Sequence, residues 1–137
     1  MRLIVHAVGV TRVVMPHKHH LTYDPTNVFA RILRGEIPTK LLHDDEHCMA
    51  FHDVTPQAPT HFLVIPKRNI ATLSDATPED ESLLGHLLVT AANVAKQLGV
   101  AEDGSRIVIN NGAGAGQTVF HLHVHVLAGR NLAWPPG

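Results

Sequence analysis

The chain has one cysteine, Cys48, among 137 residues, which excludes an internal disulfide and a CxxC metal motif. Aromatic residues make up only 4% of the sequence and charged residues 17%, against 45% hydrophobic, the balance of a globular domain rather than a disordered one. Neither sign of charge prevails: 11 Lys and Arg face 12 Asp and Glu, so no basic surface argues for nucleic acid as a partner. No apolar run approaches the ~20 residues that cross a bilayer, so no membrane partner is expected either. The length suits a single domain with room for a core. A lone cysteine fits a reducing compartment, and a cytoplasmic location is the expectation.

Histidine, by contrast, is abundant: 12 residues, as many as Asp and Glu together. Four of them, His6, His17, His19 and His20, lie in the first twenty positions. The tract His17-Lys-His-His20 has the composition of a metal-binding segment but no spaced partners, and reads as a solvated arm. Residues 1–24 carry Arg2, Arg12 and Lys18 with no acid before Asp24, loosely like a mitochondrial transit peptide. An extension of the mature chain, or an upstream start with Met15 as a second candidate, reads equally well. The domain is expected over residues 25–137.

From Asp24 the pattern sharpens. Thr26 or Asn27 caps a short helix whose Val28, Phe29, Ile32 and Leu33 form one apolar face, ended by Gly35. Lys40 to His43 is extended, Asp44-Asp45 turns, and Cys48 to His52 returns as a hairpin strand. Two prolines mark a loop over Asp53 to Pro59, and His61 to Ile65 is a further strand closed by Pro66. Thr77-Pro-Glu-Asp80 starts a long amphipathic helix with Leu83, Leu84, Leu87, Leu88, Ala91, Ala95 and Leu98 at helical spacing. Arg106 to Asn110 is another strand, and the tail Asn131 to Gly137 is not. This order predicts an α+β domain, helices on one face of an antiparallel sheet.

Chemistry concentrates between Gly112 and Arg130. A glycine-rich loop, Asn110 to Thr118, runs directly into His121, His123 and His125, which alternate with Leu122, Val124 and Val126. Alternation predicts a strand with all three imidazoles on one face, neighbouring rings roughly 6.6 Å apart. Three imidazoles buried together need partners for every ring nitrogen, so they read as a site rather than as core. The loop lacks the lysine of a P-loop, and a strand follows it, so its glycines read as a cradle of N–H groups for an anion. Imidazole beside a phosphate cradle points to nucleophilic attack on phosphorus, one ring bonding to it and another donating a proton. Zinc is the rival: HxH on a strand offers two nitrogens, and His61 or His52 a third.

The run HLHVHV at His121 to Val126 resembles the HφHφHφφ signature of the histidine triad superfamily, the last apolar places falling on Val126 and Leu127. Phe29 to Pro38 (FARILRGEIP), Ala50 to Lys67 (AFHDVTPQAPTHFLVIPK), Asp80 to His86 (DESLLGH) and the terminal WPPG look like its nucleotide-binding (HINT) branch. The match spans Thr26 to the C-terminus. It implies a five-stranded antiparallel sheet with one short and one long helix, and a homodimer whose sheets join edge to edge. It implies a purine nucleoside phosphoramidase that cleaves the P–N bond of AMP- or GMP-type amidates, with aminoacyl-adenylates as further substrates, without metal or cofactor.

Carried over by position, the resemblance makes His123 the nucleophile, flanked by His121 and by His125, which contacts the phosphate or the leaving group. His61 matches a remote histidine that supports the nucleophile by hydrogen bonding. Asp53 matches the acid that holds the ribose hydroxyls. Asn110, Gly116, Gln117 and Thr118 match phosphate and leaving-group contacts, and Val28, Phe29, Ile32, Phe51, His52 and Val54 match the base pocket. The chain departs from the pattern at Thr118, where serine is common, and at Asn111, where many relatives carry an acid. The expectation from another class is a nucleotide-binding regulator whose hydrolysis is incidental, marked by tight binding with negligible turnover.

Overall fold

The protein is described by a computed structural model covering residues 22–137. The readings of residues 1–21 as a targeting segment, a chain extension or a histidine-rich arm lie outside the described residues.

The fold is α+β. Its five strands are β1 (Leu41–Asp44), β2 (Cys48–His52), β3 (Thr60–Pro66), β4 (Ser105–Val108) and β5 (Val124–Ala128). They form one sheet in the order β1-β2-β3-β5-β4, each neighbouring pair antiparallel. The last strand of the chain thus enters between β3 and β4, which brings the histidine segment beside His61. Helix α1 (Val28–Leu33) begins at Asn27, whose side-chain oxygen accepts the Ala30 N–H at 2.9 Å. Helix α2 (Glu81–Gln97) follows a single 3₁₀ turn at Pro78–Asp80, so the expected long helix starts regular α geometry three residues later than its proline.

The helices occupy opposite faces of the sheet, not one face as the element order predicts. Along β2, Cys48 and Ala50 join Phe62, Val64, Val124 and Val126 beneath the α2 residues Leu87, Ala91, Val94 and Ala95. Met49 and Phe51 point the other way and join Leu63 and Ile65 beneath Phe29 and Ile32 of α1. Strands β2 and β3 are apolar at both alternating sets of positions, so both of their faces need cover. Leu88, read from spacing as part of the buried stripe, is 47% exposed.

The histidine strand is also shorter than alternation predicts. Pairing between β3 and β5 ends at Val64 with Val124. Pro66, two residues on, has no N–H to continue the ladder. The Leu122 N–H turns instead to the Ile70 carbonyl at 2.7 Å, so His121 and His123 precede the strand and only His125 lies in it.

Leu87, 1% exposed at the centre of the α2 core, anchors the helix to the sheet. Leu87→Ala is expected to destabilise the protein by about 2–5 kcal/mol. Denaturant unfolding checks this, and a cost below about 1 kcal/mol would show that the α2 core does not carry the fold.

Candidate active site

A cleft of about 490 Å³ opens on the α1 face of the sheet. Of the residues singled out from the sequence, Val28, Phe29, Ile32, Phe51, His52, Asp53, Val54, His61, Thr118, His123 and His125 all line it. Phe29 and Ile32 belong to the core and to the wall at once, because their helix edge forms one side of the cleft. Four expected site residues lie elsewhere. Asn110 lines a separate surface groove beside Trp134. Gly116, at φ +87°, closes the glycine loop in a left-handed conformation that suits glycine, and is exposed. Gln117 is buried: its side-chain oxygen accepts the Gly112 N–H, and its amide donates to the Ala71 and Val119 carbonyls, so it folds the loop from within. His121, fully buried, is the fourth.

Backbone groups and one tyrosine set the tautomers of His121, His123 and His61, and His61 in turn sets that of His125. His121 Nε2 lies 2.8 Å from the Pro66 carbonyl, which only accepts, so Nε2 carries the proton and Nδ1 accepts from the Tyr23 hydroxyl at 2.6 Å. Both nitrogens of His121 are therefore committed, and it presents nothing to a ligand in the cleft. His123 Nδ1 lies 2.7 Å from the His121 carbonyl, so it too is a donor. The unshared pair of neutral His123 is left on Nε2.

His61 and His125 are diagonal neighbours across β3 and β5, where His61 pairs with Leu127 and Leu63 with His125. His61 Nδ1 accepts the Gln57 N–H at 3.0 Å, so its Nε2 is protonated and donates to His125 Nδ1 at 2.9 Å. His125 therefore carries its own proton on Nε2. His61 supports His125, not the expected nucleophile His123; the diagonal register brings its ring to His125, 5.2 Å away centre to centre. The rings of His123 and His125 are 4.9 Å apart at 67°, closer than the spacing of an ideal strand because His123 sits before the regular ladder.

Burial pushes all four imidazoles below the usual histidine range, towards the neutral form. The effect is largest at His125, brought to about 4 first by burial and then by the neighbouring His123 and His61 rings. One ring thus offers a lone pair and its neighbour an N–H.

Asp53 stands at the mouth of this pair. Its Oδ1 accepts the Thr55 N–H at 2.8 Å, and its Oδ2 lies 3.5 Å from His61 Nε2. Donor atoms of Asp53, His61 and His125 lie within 4.8 Å of one another, close enough for a shared cation. The tautomers oppose that use: a metal at His61 Nε2 requires the proton on Nδ1, where the Gln57 N–H already points. Of the two HxH pairs, His121 and His123 cannot both ligate zinc, because His121 has no free nitrogen.

Three contributors escape sequence reading: Tyr23, the Gln57 N–H and the Pro66 carbonyl. Two are backbone groups without a residue signature, and Tyr23 lies 98 positions from its partner.

The chain is similar to known proteins in sequence and in fold. The HIT domain family matches residues 34–132. An uncharacterised HIT-like protein of Synechocystis is 57% identical over 110 residues, covering 80% of this chain and 96% of its own length. Among solved structures, a HIT family hydrolase from Legionella pneumophila superposes with a TM-score of 0.79 at 45% identity, over 81% of this chain and 99% of that one. A HIT family hydrolase from Clostridium thermocellum gives 0.77 at 40% identity, over 79% and 94%. With that coverage and identity, and with the three alternating histidines in place, the chain belongs to the HIT domain family.

Proposed function

We propose that the protein is a hydrolase of the HINT type, cleaving the P–N bond of a purine nucleoside 5′-phosphoramidate through a nucleotidyl-His123 intermediate. The observation that carries this reading is the fixed tautomer of His123, whose Nδ1–H is held by the His121 carbonyl while the ring lines the cleft. The purine lies between Phe29, Ile32 and Phe51, and the ribose hydroxyls bind the Asp53 carboxylate, placing the phosphorus over His123.

His123 Nε2 then bonds to phosphorus as the P–N bond breaks. The imidazolium that results keeps its Nδ1–H on the His121 carbonyl, which disperses the new charge. The His125 Nε2–H donates a hydrogen bond to the phosphoryl oxygens, and the amine leaves as its nitrogen takes up a proton from solvent. Water then attacks phosphorus as the freed amine accepts its proton, releasing the nucleotide and free His123.

The homodimer and the cytoplasmic location remain part of this proposal. Exposed Val89, Ile107 and Trp134 and the edge strand β4 supply an apolar surface of the kind a second copy covers. The metal-dependent reading rests on the Asp53–His61–His125 cluster and predicts loss of turnover with a chelator. The regulator reading predicts tight nucleotide binding with negligible turnover.

Assay of the purified protein on adenosine 5′-phosphoramidate, with and without chelator, tests the reading; turnover indifferent to the chelator is expected. His123→Asn is expected to lower kcat by at least roughly 10³-fold while leaving nucleotide affinity and the melting temperature near those of the parent. A fully active variant removes His123 as nucleophile. Asp53→Ala is expected to raise KM by roughly 10- to 100-fold, the loss of charge-assisted hydrogen bonds to the ribose, with a smaller change in kcat; an unchanged KM excludes the ribose contact.

The pH dependence follows from burial. Folding favours the neutral imidazoles, so the unfolded chain binds more protons as pH drops below about 6.5. The associated stability is fully present above that value and declines as pH falls towards the His125 value of about 4. The acid limb of kcat/KM, which requires neutral His123, is expected below pH 6.5. A limb centred at or above 6.5 would falsify the assignment of a desolvated nucleophile.

A further inference from the structure

The sheet carries a second cluster of histidines on its opposite face, at the β1–β2 hairpin and α2. A register shift between Leu41 and His43 sets His43 opposite Ala50, whose side chain belongs to the α2 core. The bulge thereby turns His43 towards α2. There His43 Nε2 lies 2.6 Å from Asp45 Oδ2, and His86 Nε2, from α2, lies 2.7 Å from the same oxygen. The Cys48 sulfur lies 3.5 Å from that oxygen and 3.6 Å from the Thr90 hydroxyl. Asp45 Oδ1 is held separately by the His47 and Cys48 N–H groups at 2.7 and 2.9 Å, so the carboxylate is fixed in place.

Three protic groups from three elements thus converge on one oxygen: two imidazoles and a thiol. Donor atoms of His43, Asp45 and Cys48 lie within 4.8 Å of one another, a spread that contraction to bonds of roughly 2.0–2.3 Å closes. With His86, which lies outside that group but reaches the same Asp45 oxygen at 2.7 Å, the donors are two nitrogens, one oxygen and one sulfur, the mixture that divalent zinc and its neighbours accept in tetrahedral sites. Among the described residues, neither His43 nor His86 has a partner at Nδ1. Each ring is thus free to move its proton there and turn the Nε2 lone pair inwards, as the tautomer lock on His61 forbids in the cleft.

We propose that His43, Asp45, Cys48 and His86 form a binding site for one divalent transition-metal ion of the zinc type, which clamps the β1–β2 hairpin to α2. Binding exchanges the two imidazole protons from Nε2 to Nδ1 and releases one proton from the Cys48 thiol, leaving a neutral site with a carboxylate, a thiolate and a dication. The site lies across the sheet from His123 and does not rest on the proposed reaction.

Cobalt(II) titration of the full chain tests it. Cys48 is the single cysteine of the sequence, so a near-ultraviolet thiolate-to-cobalt charge-transfer band reports this site and no other. The band is expected to saturate at one ion per chain, to vanish in Cys48→Ser, and to persist in Asp53→Asn. Zinc added afterwards should abolish it by displacement. His43→Gln and His86→Gln are expected to weaken the metal by at least roughly tenfold, with the far-ultraviolet circular dichroism of the parent. Absence of the band in the parent protein overturns the proposal and leaves the cluster a hydrogen-bonded tie. So does a band whose midpoint is the same in the parent and in both histidine variants.

Discussion

A buried imidazole has two nitrogens and, when neutral, one proton, and the site depends on where that proton is held. The His121 carbonyl takes the N–H of His123, at 2.7 Å, and so decides which nitrogen of that ring is basic. The Pro66 carbonyl does the same for His121, and the Gln57 N–H, acting as a donor, does the reverse for His61. Each choice propagates: His61 must donate to His125, and His125 must then present an N–H. Because the rings are buried and held below the usual histidine range, this neutral network persists at neutral pH without a salt bridge to organise it.

The sheet supplies the geometry this network needs. Inserting β5 between β3 and β4 makes His61 and His125 neighbours although 64 residues separate them. Ending the ladder before Pro66 frees the His121–His123 segment from strand geometry, so the backbone carbonyl of one histidine can reach the ring of the next-but-one. Two apolar layers, one under each helix, hold the strands in this register. The price of burying these imidazoles is met by giving their nitrogens partners, the exceptions among the described residues being Nε2 of His123 and Nε2 of His125.

The two faces use histidine in different ways. On the α1 face, backbone groups dictate the tautomers, and the rings have little freedom to change them. On the α2 face, a single carboxylate gathers His43 and His86, and their outer nitrogens are uncommitted among the described residues. The contrast arises from depth: His121 and His123 are buried among main-chain groups, whereas the side chains of His43 and His86 are 32% and 38% exposed. Shielded rings hold a fixed hydrogen-bond pattern, and half-open ones can exchange a proton for a cation.

Much was legible in the chain before its fold was known. The strand Cys48 to His52, the Asn27 cap, the long helix with its leucines, and the membership of Phe29, Phe51, Asp53, His61, His123 and His125 in one site follow from local pattern and from resemblance. These are short-range properties, written in the spacing of apolar residues and in the caps. What periodicity could not show was any property fixed by main-chain atoms of a distant segment. It placed His121 in the same row as its neighbours, although the Pro66 carbonyl and Tyr23 draw it inside. The resemblance paired His61 with His123, although the β3–β5 register gives it to His125. It put Gln117 at the ligand, although the amide is spent inside the loop. The sequence by itself determined which residue types meet and which elements carry them. The tertiary structure alone decided which nitrogen of each ring holds the proton, because carbonyl and N–H groups are common to nearly every residue and only the packing of strands selects which of them a histidine meets.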